Sequence, residues 1–371
     1  MLLLWIACLI VAVAAGSLAS KFERQANCSR LAVGLSHLRS HSNPRRRVRA
    51  PLACPQSAWE ASGNETYIPL MDTSDWDETG QHTLCAPGIS ARMFREAPIP
   101  REELLSFTPC KLFERIRGRR LWFFGDSQQD ALRRATTFFL RKHAVVPLDI
   151  RGTLLNFSGV PEILTDGVKP HIYPPRCVAL IDDTEICGIT LMDGDRWRLP
   201  FVFEFLNHIF PKFASDVVIF NYGLHYEWFK SNLPRDLASF AVYRAAVKQS
   251  GAWVMPLTVW IDTLPQHFST HTGEYKRASG LENDTCRDIV STAPGDFMGP
   301  YNALSAQLIA NISDLHLSVW NQTRPLHYGH YRAGDCSHYC RPGPHELNIY
   351  QMYRLFSEPE FARWQRSTPS V

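Results

Sequence analysis

Apolar and polar positions change their rhythm near Arg119. Downstream of it, short apolar runs alternate with segments of helical spacing. The run from Leu121 to Phe124, closed by Gly125, has the pattern of a buried strand, and residues 128–142 place Leu132, Ala135 and Phe139 on one helical face. The same pattern predicts strands at 177–181, 188–192, 216–222 and 253–260, and helices at 201–212, 235–250, 300–314 and 345–357. Strands that are apolar throughout bury both faces. Their alternation with helices predicts one α/β domain over 111–371, a parallel sheet covered by helices on both faces. Residues 51–110 contain Cys54, Cys85 and Cys110 with few periodic runs, and are expected to form a disulfide-tied N-terminal subdomain.

Composition narrows the function classes. Of 371 residues 45% are apolar, enough for a sizeable core, and 12% are aromatic. The net charge of +3 is unevenly placed: residues 21–50 carry eight basic side chains against Glu23 alone, so the body is net acidic. A nucleic-acid partner would call for the basic excess on the folded body, so none is expected. Residues 1–20 are apolar and uncharged, a signal peptide or signal-anchor, and 21–50 read as a basic stem or linker with a basic run at Arg46 to Arg49. Membrane contact is expected only through that N-terminal segment, if it is retained. Six N-x-S/T sequons, at Asn27, Asn64, Asn156, Asn283, Asn311 and Asn321, fit passage through the secretory lumen, either anchored or secreted. Nine cysteines besides Cys8 should mostly pair in that oxidising compartment.

Three segments carry candidate chemistry. Gly125-Asp126-Ser127 lies where a strand passes into a helix, at the carboxyl edge of the expected sheet. Ser127 there suits a nucleophile, and its own N–H, at a helix N-terminus, an oxyanion donor. The same residues also suit a tight turn with Asp126 or Ser127 as N-cap. Asp335 and His338, three apart and bracketed by Cys336 and Cys340, suit an oriented general base on a loop held by disulfides. Metal binding by Cys336, His338 and Cys340 would need reduced thiolates, so no metal is expected. In Asn221-Tyr222-Gly223-Leu224-His225, Asn221 and Gly223 are candidate oxyanion donors. Asp126, His225 and His267 are candidate substrate-facing groups, with Gln266 beside the last. His171, His208, His327 and His330 read as structural or surface groups.

Taken together these motifs resemble the plant trichome-birefringence-like family, the PC-esterase group of polysaccharide O-acetyltransferases. The similarity begins near Phe107-Thr-Pro-Cys110 and runs through Arg117 to Ser127. It continues at Val218 to Gly223, Pro265-Gln-His-Phe268 and Asp335-Cys-Ser-His-Tyr-Cys340 with Pro342-Gly343, covering about 107–357 in the expected order. The resemblance implies a three-layer, SGNH-hydrolase-like α/β fold. It also implies a Ser127–His338–Asp335 triad that moves an acetyl group onto a cell-wall polysaccharide or glycan hydroxyl in the Golgi lumen. No bound cofactor is implied; the acetyl donor, acetyl-CoA for example, is a co-substrate and the glycan is the acceptor. Family members usually carry a Leu/Ser-Arg-Asn stretch after Gly-Asp-Ser, Trp in place of Tyr339 and Asn-Thr-Gly-His in place of the Asn221 segment. A carbohydrate or lipid esterase using the same triad, and a non-catalytic glycan-binding protein, are the alternative readings.

Overall fold

The apolar runs after Arg119 pair into one mixed sheet wrapped by helices. The computed structural model describes residues 68–71, 84–86, 88–144, 153–154, 175–191, 198–210, 212–226, 232–270, 272–275, 285–289, 299–332 and 334–367. The expected leader over 1–20, the expected stem over 21–50 with Arg46 to Arg49, Cys54, His171 and the sequons at Asn27, Asn64, Asn156 and Asn283 lie outside the described residues.

Three short helices precede the sheet: α1 (Ile89–Glu96), α2 (Arg101–Ser106) and α3 (Pro109–Ile116). Next come β1 (Arg120–Gly125), α4 (Ser127–Phe139), β2 (Thr153–Leu154), β3 (Arg176–Ala179) and β4 (Glu185–Thr190). They are followed by α5 (Arg198–Ile209), β5 (Val217–Asn221), α6 (Asn232–Ser250) and β6 (Leu257–Ile261). Then α7 (Pro300–Ser305) and α8 (Ile309–Ile312) lead to β7 (Leu315–Leu317) and α9 (Trp320–Thr323). The chain closes with a hairpin of β8 (His330–Arg332) and β9 (Asp335–Tyr339), then α10 (Pro344–Leu355) and α11 (Pro359–Ser367). The main sheet runs in the order β2-β3-β4-β1-β5-β6-β7.

Side-chain alternation explains the layers. In β1, Leu121 and Phe123 join one core cluster while Trp122 and Phe124 join the other; in β5, Val217 and Ile219 separate in the same way from Val218 and Phe220. The first cluster takes the apolar faces of α1 to α4, α10 and α11, and the second those of α5 to α8. The second is rich in rings: Phe220 packs edge-on to Trp260 at 5.3 Å and Phe124 to Phe203 at 5.6 Å. Such pairs add about 0.5–1.5 kcal/mol each beyond the burial of their area. The three-layer α/β arrangement is therefore a direct consequence of strands with two apolar faces.

The sheet departs from the all-parallel expectation at one edge. Strands β4, β1, β5, β6 and β7 are parallel, but β3 runs antiparallel to β4, and β2 to β3. The cause is local: the link from β3 to β4 is too short for a crossover, and Asp182 and Asp183 turn it with φ of 55° and 53°. A disulfide between Cys177 and Cys187 joins residues directly opposite each other in this hairpin. Strand β6 starts at Leu257 rather than 253 because Pro256 has no N–H for the ladder. The helix expected over 300–314 divides into α7 and α8; at the end of α7 the Ser305 hydroxyl donates back to the carbonyl of Asn302.

Within 51–110, the described helices share their core with the sheet: Met93, Phe94, Leu104 and Phe107 sit in the same cluster as Leu121 and Phe123. Cys85 is disulfide-bonded to Cys340, and Cys85 N–H donates to the Arg341 carbonyl at 2.9 Å. Cys110 is also disulfide-bonded. Among the described residues no helix is long and apolar enough to cross a membrane. The sequon residues Asn311 and Asn321 are both exposed.

Candidate active site

Strand β1 ends at the carboxyl edge of the sheet, between β4 and β5, in a turn that only glycine fits. Gly125 has φ 152°, and a Cβ there would lie 1.8 Å from the Asn221 carbonyl oxygen. Asp126 then caps α4, its Oδ1 accepting from Gln128 N–H at 2.9 Å. Ser127 is thereby the first residue of the helix, half-buried, and its N–H has no partner within the helix.

The partner comes from the other end of the chain. Asp335 Oδ1 accepts from the backbone N–H groups of Ser337 at 3.2 Å and His338 at 3.1 Å. These contacts draw the chain back on itself, where the β8–β9 register shifts, so that His338 Nδ1 lies 3.0 Å from both Asp335 oxygens. His338 Nε2 in turn lies 2.8 Å from Ser127 Oγ. Burial alone would push the Asp335 carboxyl up, but His338 and the two N–H groups outweigh it and hold Asp335 well below the usual carboxylate range. An ionised Asp335 accepts the His338 Nδ1–H, which leaves the Nε2 lone pair facing the serine hydroxyl. Two disulfides, Cys286–Cys336 and Cys85–Cys340, anchor β9 beside this pair. With both sulfurs oxidised, Cys336 and Cys340 have no thiolate to offer a metal. Among the described residues no group of three His, Cys, Asp or Glu is placed to hold one.

The other expected site residues are used differently. Asn221 and Gly223 were expected to donate to an oxyanion, yet they satisfy each other and their neighbours. Asn221 Nδ2 donates to the Ile261 carbonyl at 2.7 Å and to Thr263 Oγ1 at 3.0 Å, while Asn221 Oδ1 accepts the Gly223 N–H at 3.0 Å. Both are buried, so this is a strand-end turn sealed by an amide. Asp126 is 1% exposed, and burial pushes its carboxyl up, with His225 and the Gln128 N–H pulling the other way. Its observed role is that of the helix cap. His225 is exposed, on the turn Leu224–Tyr226 beside Asp126.

His267 is also a correction, being wholly buried. Its Nε2 lies 2.7 Å from the Arg324 carbonyl and its Nδ1 2.7 Å from His330 Nε2. His330 Nδ1–H donates to the His338 carbonyl at 2.9 Å. Burial pushes His267 down to about 4 and His330 down to about 3. His330, read from the sequence as structural, thus supports the backbone of His338.

Two glutamines complete the neighbourhood. Gln266 Nε2–H donates to Ser337 Oγ at 2.6 Å, and Gln128 Nε2–H donates to the Ser337 carbonyl. Gln128 was missed from the sequence, where its only signal is its position directly after Ser127. A small cavity beside Ser127 is lined by Asp126, Gln128, Gln129, Asn221, Thr263, His345 and Asn348 among others. Chemically, the arrangement is a proton chain from a serine hydroxyl through an imidazole to a carboxylate. Comparison with known proteins adds nothing to it: no family model and no curated protein matches this chain.

Proposed function

We propose that this protein is a serine acyltransferase that moves an acetyl group onto a sugar hydroxyl by double displacement. The reading is carried by one observation, the chain Ser127 Oγ to His338 Nε2 at 2.8 Å and His338 Nδ1 to Asp335 at 3.0 Å. The acetyl group and the glycan acceptor come from the resemblance to the trichome-birefringence-like O-acetyltransferases, as does the luminal location.

In the first half-reaction His338 Nε2 takes the Ser127 proton as Oγ attacks the donor's acetyl carbonyl. The Ser127 N–H, reinforced by the positive end of α4, stabilises the oxyanion, a contribution of about 3 kcal/mol for one well-placed donor. Collapse expels the donor's leaving group, which takes the proton from His338, and leaves acetyl-Ser127. In the second half-reaction a sugar hydroxyl gives its proton to His338 Nε2 and attacks the acetyl carbon, and Ser127 leaves with the proton restored. Water in place of the sugar makes the same site an esterase. The His338 side chain is 39% exposed, which gives water a route and keeps that second reading in play.

Intact-protein mass spectrometry after incubation with an activated acetyl ester, beside Ser127→Ala, tests the proposal. A single acetyl adduct on the wild type alone, discharged faster by added polysaccharide than by water, is the expected result. An adduct that water clears equally fast makes the protein an esterase. No adduct, or the same adduct on Ser127→Ala, overturns serine acyl transfer.

A further inference from the structure

We propose that Gln128 is a positioning residue that sets the distance between the nucleophile and its base; this rests on the acyl-transfer reading above. Ser127 and His338 are 211 residues apart in sequence, so their contact depends on how α4 is held against β9. Gln128 makes that connection from the residue next to the nucleophile. Its backbone N–H is bound by the Asp126 cap, and its side-chain Nε2–H donates to the main-chain oxygen of Ser337, the residue before the base. One buried residue is therefore fixed at both ends, with one end on the turn that presents Ser127 and the other on the strand that presents His338.

The direction of this bond is forced. With the amide turned over, Gln128 Oε1 would meet the Ser337 carbonyl, acceptor against acceptor. Oε1 instead lies buried without a hydrogen-bond partner among the described residues, beside the cavity shared with Gln129, His345 and Asn348. Gln266 and His330 hold the same strand, from the segment after β6 and from β8, through Ser337 Oγ and the His338 carbonyl. Neither belongs to α4, so neither registers the strand against the nucleophile's own helix. Acyl transfer is sensitive to this register, since a misplacement of about 1 Å costs on the order of 10²-fold in rate.

The test uses the full-length protein with p-nitrophenyl acetate as the acylating probe, comparing wild type, Ser127→Ala, Gln128→Met and Gln128→Glu. Gln128→Met keeps the length and loses the donor; it is expected to slow acylation by about 10²-fold and to leave KM for the ester within about twofold. Gln128→Glu supplies an internal control. Its carboxylate can only accept and is repelled by the Ser337 carbonyl, whereas its protonated form has one O–H to donate there. The acylation rate of Gln128→Glu relative to wild type is therefore expected to rise as pH falls, while the Gln128→Met ratio stays level. A Gln128→Met protein that acylates at the wild-type rate, or that raises KM instead, overturns the proposal. So does a Gln128→Glu ratio that is level or falls with decreasing pH. Loss of the melting transition in both variants makes Gln128 a folding clamp, which also overturns the positioning role. If Ser127→Ala acylates like wild type, the acyl-transfer reading itself fails, a result separable from the others because it involves no change at Gln128.

Discussion

The two ends of the sheet hold similar chemistry in opposite arrangements. At the amino end, Asp216 is 1% exposed and accepts from Arg120 N–H at 3.2 Å and Trp122 Nε1–H at 3.0 Å, with the Arg120 guanidinium at 3.6 Å. At the carboxyl end, Asp335 is half-buried and accepts from two backbone N–H groups and from His338. Burial dominates at Asp216 and pushes it up to about 6 against the pull of Arg120 and Trp122, while at Asp335 the hydrogen bonds win and hold the carboxyl down. The amino-end donors all finish on acceptors of the fold itself. The carboxyl-end chain finishes on a serine hydroxyl, which has a proton to give and a lone pair for an incoming carbon. What separates the structural carboxylate from the candidate site here is the last group in the chain and its access to solvent, more than the amount of charge.

The sharpest way to break this comparison is to neutralise each carboxylate in turn. Asp335→Asn is expected to lower acyl transfer by about 10³- to 10⁴-fold, because it removes the acceptor that fixes the His338 tautomer. Asp216→Asn is expected to leave it within about twofold. Steady-state kinetics on both proteins decides, and equal losses would erase the distinction between the ends.

Next in size is the cross-linking of β9. Replacing Cys286 and Cys336 together by Ser opens a link with sequence separation 50 and is expected to cost about 4 kcal/mol, with activity falling as β9 loosens. The Cys177/Cys187 pair, separation 10, is expected to cost less and to leave the chemistry unchanged in the folded protein. Denaturant midpoints alongside turnover measure both.

Smaller again is Asp216→Ala. It leaves the Trp122 Nε1–H and Arg120 N–H without their acceptor and is expected to cost about 2 kcal/mol, read as a lowered melting temperature with turnover retained below it.

The smallest effect is a pH slope of opposite sign at the two ends. Burial holds His345 down to about 3, as it holds His267 and His330 down, so between there and about 6.5 the unfolded chain binds more protons. Stability from these neutral rings is present above about pH 6.5 and is lost as pH falls. Asp216 is raised, so between about 4 and 6 the folded state binds more protons, and its contribution is lost as pH rises. His345→Gln is therefore expected to flatten the fall in unfolding free energy between pH 6.5 and 4, and Asp216→Asn to steepen it, each by a slope on the order of 1 kcal/mol per pH unit. The same slope in both variants would remove the contrast.

The amino-acid sequence by itself determined what depends on neighbours along the chain. Alternating apolar runs require strands buried on two faces, hence helices on both sides. Gly125 is required because a strand must turn sharply into α4, and Asp335 can reach His338 because they lie three positions apart. Nothing in these local rules says which distant segments meet. Only the tertiary structure decided that Asn221 and Gly223 use up each other's polar groups, that His267 is walled in behind His330, and that β3 returns antiparallel through Asp182 and Asp183. It also decided the partners of Cys85 and Cys336, and that Gln128 reaches the Ser337 carbonyl. The physical reason is common to all of these: a donor buried at a sheet edge takes the nearest acceptor in space, and that acceptor lies wherever packing of the two cores has carried the rest of the chain.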